Sequence, residues 1–139
     1  MAIARDIMHA GAECVSEHET LAQAAQRMRD LDVGALPVCG DDDRLHGIIT
    51  DRDIAIRCVA AGGDPATVTA GDLAQGKPFT IGAGASAGQV LRVMEEHRIR
   101  RLPVIDNYRL VGMISETDLA RHLPEQSIAE FVEAVCASS

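Results

Sequence analysis

Two stretches of this chain spell nearly the same pattern of apolar and turn residues, and that repetition limits the fold more than any other feature. Displaced by 66 positions, Met28 falls on Met94 and Leu36-Pro37-Val38 on Leu102-Pro103-Val104. Displaced by 65, Leu45 falls on Leu110, Gly47 on Gly112, Ile49 on Ile114, Asp53 on Asp118 and Ala55 on Ala120. The change of shift falls in the polar turns, since 40–44 is one residue longer than 106–109, and a turn is where a chain tolerates a change of length. The 139 residues are therefore two copies of one unit of about 60, joined around Gly62-Gly63-Asp64-Pro65.

Each copy reads the same way. A short extended piece, Cys14-Val15 or Thr80-Ile81, leads to a helix cap, Thr20 or Ser86, with Gln23 or Gln89 three residues on. That is the capping-box pattern, in which hydroxyl and amide side chain satisfy each other's backbone N–H. Leu21, Ala24, Ala25, Met28 and Leu31 then form one apolar stripe at helical spacing. Its counterpart carries Ala87, Val90, Leu91, Met94 and, in place of Leu31, His97. The strand pairs 35–39 with 45–50 and 102–105 with 110–115 follow. Thr50 and Ser115 cap a second helix, with Asp53 and Asp118 three residues in. The order β-α-β-β-α, twice, predicts a mixed α/β (α+β) fold in which two small sheets pack face to face with pseudo-twofold symmetry.

Composition excludes several functions. With 13 Lys and Arg against 21 Asp and Glu the formal charge is −8, and the aromatics are Phe79, Tyr108 and Phe131 alone. Phosphate contacts and base stacking dominate nucleic-acid binding, so this chain is not expected to bind DNA or RNA. No run of 18 apolar residues predicts a membrane span, and no leader is visible, so the cytosol is the expected compartment.

Gly47-Ile-Ile-Thr50-Asp51-Arg52-Asp53 and Gly112-Met-Ile-Ser115-Glu116-Thr117-Asp118 resemble the G-h-h-[ST]-x-x-D signature of CBS domains (cystathionine β-synthase domains). The Leu-Pro-Val strand upstream of each glycine strengthens the match. More narrowly, Thr-Asp-Arg-Asp-Ile, Cys-Gly-Asp-Asp-Asp-Arg-Leu-His-Gly and Arg-His-Leu-Pro-Glu resemble the stand-alone CBS pairs of mycobacteria known as hypoxic response proteins. The resemblance implies one CBS domain over 8–65 and a second over 73–131, and the apolar spacing after Pro124 adds an amphipathic tail helix over 124–139. The resemblance also implies a non-enzymatic ligand-binding or signalling module, a homodimer acting through a protein partner, that takes an adenine nucleotide (AMP, ADP or ATP) or adenosyl ligand in its clefts, in a hypoxia or stress response. Thr50 and Ser115 then stand where helix N-termini attract phosphate. Asp53 and Asp118 would accept ribose hydroxyls, and Gly47 and Gly112 would leave room for the ligand. Capping alone also explains each hydroxyl and carboxylate. Arg100 and Arg101, before Pro103, make the second repeat the expected phosphate site. Residues 1–68 carry 12 acids against 6 bases, residues 69–139 only 9 against 7. The alternative is a structural or interaction dimer without a nucleotide, stabilised by a disulfide or by zinc.

Other residues bear on that alternative. His97 replaces an apolar residue on its helix and His122 ends the next one, so the two imidazoles would hold a zinc with a third ligand. Otherwise His97 ends its helix and both rings are solvated. Cys14, Cys39, Cys58 and Cys136 contain no C-x-x-C pair. If their strands are neighbours, as in CBS units, Cys14 and Cys39 meet, although a reducing cytosol favours free thiols. Cys58 falls on a core stripe. Asp41-Asp42-Asp43 reads as a solvated hairpin turn, because a calcium loop needs wider ligand spacing. Gly84-Ala-Ser86-Ala-Gly88 imitates a nucleophile elbow, but the repeat makes Ser86 a helix cap, and no catalytic constellation survives the alignment. Ile128, Phe131, Val132 and Val135 give the tail an apolar stripe for packing back or for dimerisation.

Overall fold

A computed structural model describes residues 2–10, 13–74 and 78–136, so the last three residues of the expected tail lie outside the described residues. In chain order the elements are α1 (Ala4–Ile7), β1 (His9–Ala10), β2 (Val15–Ser16), α2 (Leu21–Leu31), β3 (Ala35–Cys39) and β4 (Leu45–Thr50). A π-helical segment (Asp53–Val59), α3 (Ala70–Leu73), β5 (Ile81–Gly82) and α4 (Ala87–His97) come next. The chain closes with β6 (Arg101–Asp106), β7 (Arg109–Ser115), α5 (Glu116–His122) and α6 (Glu125–Cys136). The fold is mixed α/β, with one sheet ordered β2-β3-β4 and another ordered β1-β7-β6-β5.

The repeat is visible in the hydrogen bonds. Thr20 Oγ1 accepts from Gln23 N at 3.2 Å and Thr20 N donates to Gln23 Oε1 at 2.9 Å. Ser86 and Gln89 reproduce both bonds at 3.2 and 2.9 Å. Each capped helix ends on a left-handed residue, Asp32 or Arg98, and is closed by the next amide: Val33 N donates to Met28 O, and Ile99 N to Met94 O, both at 3.0 Å. In each copy the first strand runs parallel to the second, which runs antiparallel to the third.

Spatial units and sequence repeats are offset. One unit holds residues 13–78; the other holds residues 1–12 together with 79–139. Helix α1 precedes the first repeat yet packs on α4, α5 and β7 of the second, burying Ala4 and Ile7. Helix α3 precedes the second repeat yet packs on β2 and β4 of the first, burying Ala70. Its cap is polar: the Thr69 amide, and then the Thr69 hydroxyl, hold the Asp72 carboxyl below the usual carboxylate range.

In the unit of residues 13–78, Val15, Leu21, Ala24, Met28, Leu36, Val38, Ile49 and Cys58 form the core. Ala25 and Leu31, expected on the same stripe, are exposed. The difference has a physical cause. In the other unit α6 packs on α4, and Phe131 and Val135 join Val90, Met94, Leu102, Val104 and Ile114 in the core. Among the described residues no helix packs on α2 as α6 packs on α4, so the outer positions of α2 stay open. The tail therefore packs back on its own unit, with Val132 on its outer face.

Candidate functional site

The two G-h-h-[ST]-x-x-D motifs end a strand and begin a helical turn. Thr50 N donates to Asp53 Oδ2 and Asp53 N donates to Thr50 Oγ1, both at 3.0 Å. Ser115 N donates to Asp118 Oδ2 at 2.9 Å, Ser115 Oγ donates to the same oxygen at 3.0 Å, and Asp118 N reaches Ser115 Oγ at 3.4 Å. In both copies hydroxyl and carboxylate close a capping box. After Thr50 the expected α-helix is widened into π turns, with Ala60 N donating to Ala55 O at 2.9 Å.

The two carboxylates differ in what else they meet. The Asp118 side chain is 7% exposed, and its Oδ1 lies 3.4 Å from His9 Nδ1 of the N-terminal strand. The Asp53 side chain is 27% exposed, and its Oδ1 faces the Arg57 guanidinium at 3.8 Å. Asp118→Ala strands the partly buried Ser115 amide and hydroxyl and is expected to cost about 2 kcal/mol, against about 1 kcal/mol for Asp53→Ala at the more open site. Urea unfolding of the two variants measures this, and equal costs would contradict the burial argument.

Gly47 and Gly112 do not face open space. A Cβ on Gly112 would lie 2.7 Å from His9 O, and one on Gly47 would lie 2.8 Å from Ala74 O. What comes close to each glycine is the chain itself, and Ala10 pairs with Gly112 in the β1–β7 ladder. Arg100 sits on the surface with its Nε 3.4 Å from Glu116 Oε1. Arg101 opens β6, in register with Ser115.

His97 stacks on Phe79 with ring centroids 3.7 Å apart. His122 Nδ1 lies 2.9 Å from Asp118 O. A carbonyl only accepts, so Nδ1 carries the proton and, in the neutral ring, Nε2 presents its lone pair. Cys14 and Cys39 are joined in a disulfide with Cα atoms 5.6 Å apart, and Cys58 is buried.

Among the described residues, one group of three or more metal-ligating side chains is close enough to share an ion: Glu17, His18 and Asp41. His97 and His122 belong to no such group. The signal for the first set was present but scattered. Parallel pairing of Ser16 with Cys39 sets the exits of β2 and β3 side by side, which brings Glu17-His18 to the Asp41 turn.

The CBS domain family model matches residues 4–59 and 70–125. Over 136 residues the chain is 60% identical to Hypoxic response protein 1 of Mycobacterium tuberculosis, covering 98% of this chain and 95% of that protein. CBS domain-containing protein YhcV of Bacillus subtilis is 37% identical over 124 residues, 86% of this chain and 84% of its own. Among solved structures, Hypoxic Response Protein I with two coordinated zinc ions is similar at TM-score 0.81 and 61% identity, over 88% of this chain and 100% of that one. An uncharacterized conserved protein from Pyrococcus horikoshii reaches TM-score 0.78 at 26% identity, over 88% and 94%. Repeat, paired caps, parallel–antiparallel sheets and family match converge: the chain belongs to the CBS domain family, as a pair of CBS domains related to hypoxic response protein.

Proposed function

We propose that this protein is a non-catalytic CBS pair that works through bound zinc, as a cytoplasmic homodimer in a low-oxygen or stress response. The observation that carries the reading is the orientation of His122. Its Nδ1–H is spent on the Asp118 carbonyl, at 2.9 Å, which fixes the ring and leaves Nε2 as the nitrogen that carries the lone pair. Metal-bound histidines are held in this way, by a second hydrogen bond that sets tautomer and basicity. His97, at the end of α4 and braced by Phe79, supplies the second imidazole. The related structure with two coordinated zinc ions supports the choice of metal.

Adenine-nucleotide binding is the second reading. It is favoured by the free side of Asp53, whose Oδ2 closes the cap while Oδ1 is left to Arg57 at 3.8 Å. That oxygen is the acceptor a ribose hydroxyl needs, with Thr50 at the start of the helical turn beside it. In the second repeat Asp118 is already engaged by Ser115 and His9, and Arg100 by Glu116.

Calorimetric titration of the purified protein with Zn²⁺, AMP, ADP, ATP and S-adenosylmethionine separates the two readings. The expected result is tight zinc binding that weakens by at least tenfold in His97→Ala/His122→Ala, with no nucleotide heat. Micromolar nucleotide binding, lost in Asp53→Ala and accompanied by no zinc binding, would replace the first reading with the second.

A further inference from the structure

We propose that Glu17, His18 and Asp41 form a separate zinc site in the unit of residues 13–78, with His46 as the group that orients Glu17. The proposal does not depend on zinc at His97 and His122, which lie in the other unit. The ligands come from the ends of two adjacent parallel strands. Val15 pairs with Val38 and Ser16 with Cys39, so the chain leaves β2 and β3 at the same level. Glu17 N extends the ladder by donating to Cys39 O at 3.0 Å, and Gly71 N donates to Glu17 O at 2.9 Å. The Glu17 backbone is thus held from both sides. The approach of α3 is close enough that a Cβ on Gly71 would lie 2.8 Å from Glu17 O. His18 N donates to Ser16 Oγ at 3.2 Å, and Asp43 N to Gly40 O at 3.1 Å, which fix the two turns that carry His18 and Asp41.

The distances are those of ligands around an ion. His18 Nε2 stands 3.5 Å from Glu17 Oε1 and 3.4 Å from each Asp41 carboxylate oxygen. An N–H···O bond prefers about 2.7–3.2 Å, so His18 makes a good hydrogen bond to neither acid. A tetrahedral ion with bonds of about 2.0–2.1 Å sets its donors roughly 3.4 Å apart. Glu17, His18 and Asp41 offer donor atoms that all lie within 4.8 Å of one another, so a small movement closes them on one ion.

Chemistry selects the ion. One imidazole nitrogen with two carboxylate oxygens suits zinc among the abundant divalent metals, whereas calcium takes six to eight oxygens. Asp42 and Asp43 flank the set, so a dication relieves repulsion among the acids of this turn. His46 completes the arrangement, with Nδ1 2.9 Å from Glu17 Oε2 and Nε2 3.7 Å from Asp42 Oδ1. Glu17 therefore offers Oε1 to the ion while Oε2 is held by a neighbouring ring, and such outer partners typically contribute 10–100-fold in metal affinity. Water fills the fourth position of a site with three protein ligands.

The test is titration with Zn²⁺, and with Co²⁺ read by its visible absorption, in the His97→Ala/His122→Ala background. That protein is expected to keep one zinc equivalent per chain. Adding His18→Ala and Asp41→Asn is expected to abolish it, and His46→Ala alone to weaken it by about 10–100-fold. Circular dichroism and urea midpoints confirm that each variant is folded. A folded His97→Ala/His122→Ala protein that binds no zinc, or one whose zinc survives His18→Ala/Asp41→Asn, overturns this site. The first outcome leaves zinc at His97 and His122 standing; loss of zinc only with the Glu17–His18–Asp41 set does the reverse.

Discussion

Replacing Phe131 with alanine is expected to destabilise the protein by about 3–5 kcal/mol, the usual cost of emptying a buried aromatic position. Phe131 is 1% exposed and sits among Val90, Met94, Leu102 and Ile114, so its ring joins α6 to the sheet and to α4. No other aromatic takes that place, because Phe79 is 48% exposed beside His97 and Tyr108 is 77% exposed. Domains of this size are stable by only about 5–15 kcal/mol, so one side chain accounts for a large share of the total. Urea unfolding measures the loss, with Val132→Ala, on the exposed face of the same helix, as a control expected within about 0.5 kcal/mol of wild type. A Phe131→Ala midpoint equal to that of wild type would mean that α6 does not dock on α4.

The Cys14–Cys39 disulfide is the second large contributor. Its two cysteines are 25 residues apart, and closing a loop of that length in the unfolded chain stabilises the native state by about 3.5 kcal/mol on the chain-entropy account. The bond also compensates for a short ladder, since β2 and β3 pair over only Val15–Val38 and Ser16–Cys39. Reductant and Cys14→Ser are expected to lower the unfolding midpoint equally, and reductant is expected to do nothing further to the variant. Because the same two strand ends carry Glu17, His18 and Asp41, breaking the bond is also expected to weaken zinc binding in this unit. A protein whose stability ignores reductant would contradict both expectations.

The parts of the fold that were legible from sequence are those that depend on local chemistry. Thr20 with Gln23 and Ser86 with Gln89 cap their helices because the donors and acceptors lie three residues apart. Strands 35–39 and 45–50 follow from apolar runs on either side of a polar turn, and the structure returns those bounds. Features set by distant segments were not legible. Nothing periodic says that α1 joins the second repeat and α3 the first, so the close approach of His9 to Gly112 and of Ala74 to Gly47 has no signal in the sequence. His9 reaches Asp118 only because β1 pairs with β7. Glu17 and His18 are more than 20 residues from Asp41 and form no spacing motif; the register of β2 against β3 brings them together. Asp41-Asp42-Asp43 read alone is a turn, and it becomes a candidate ligand source only beside that strand.

Zinc content measured on protein purified without chelator tests the central claim most directly, using wild type, His97→Ala/His122→Ala, His18→Ala/Asp41→Asn, and the four together. Two equivalents per chain are expected in wild type, one in each pair of substitutions, and none in the combined variant. Wild-type protein that carries no zinc and takes up none on titration would contradict the account.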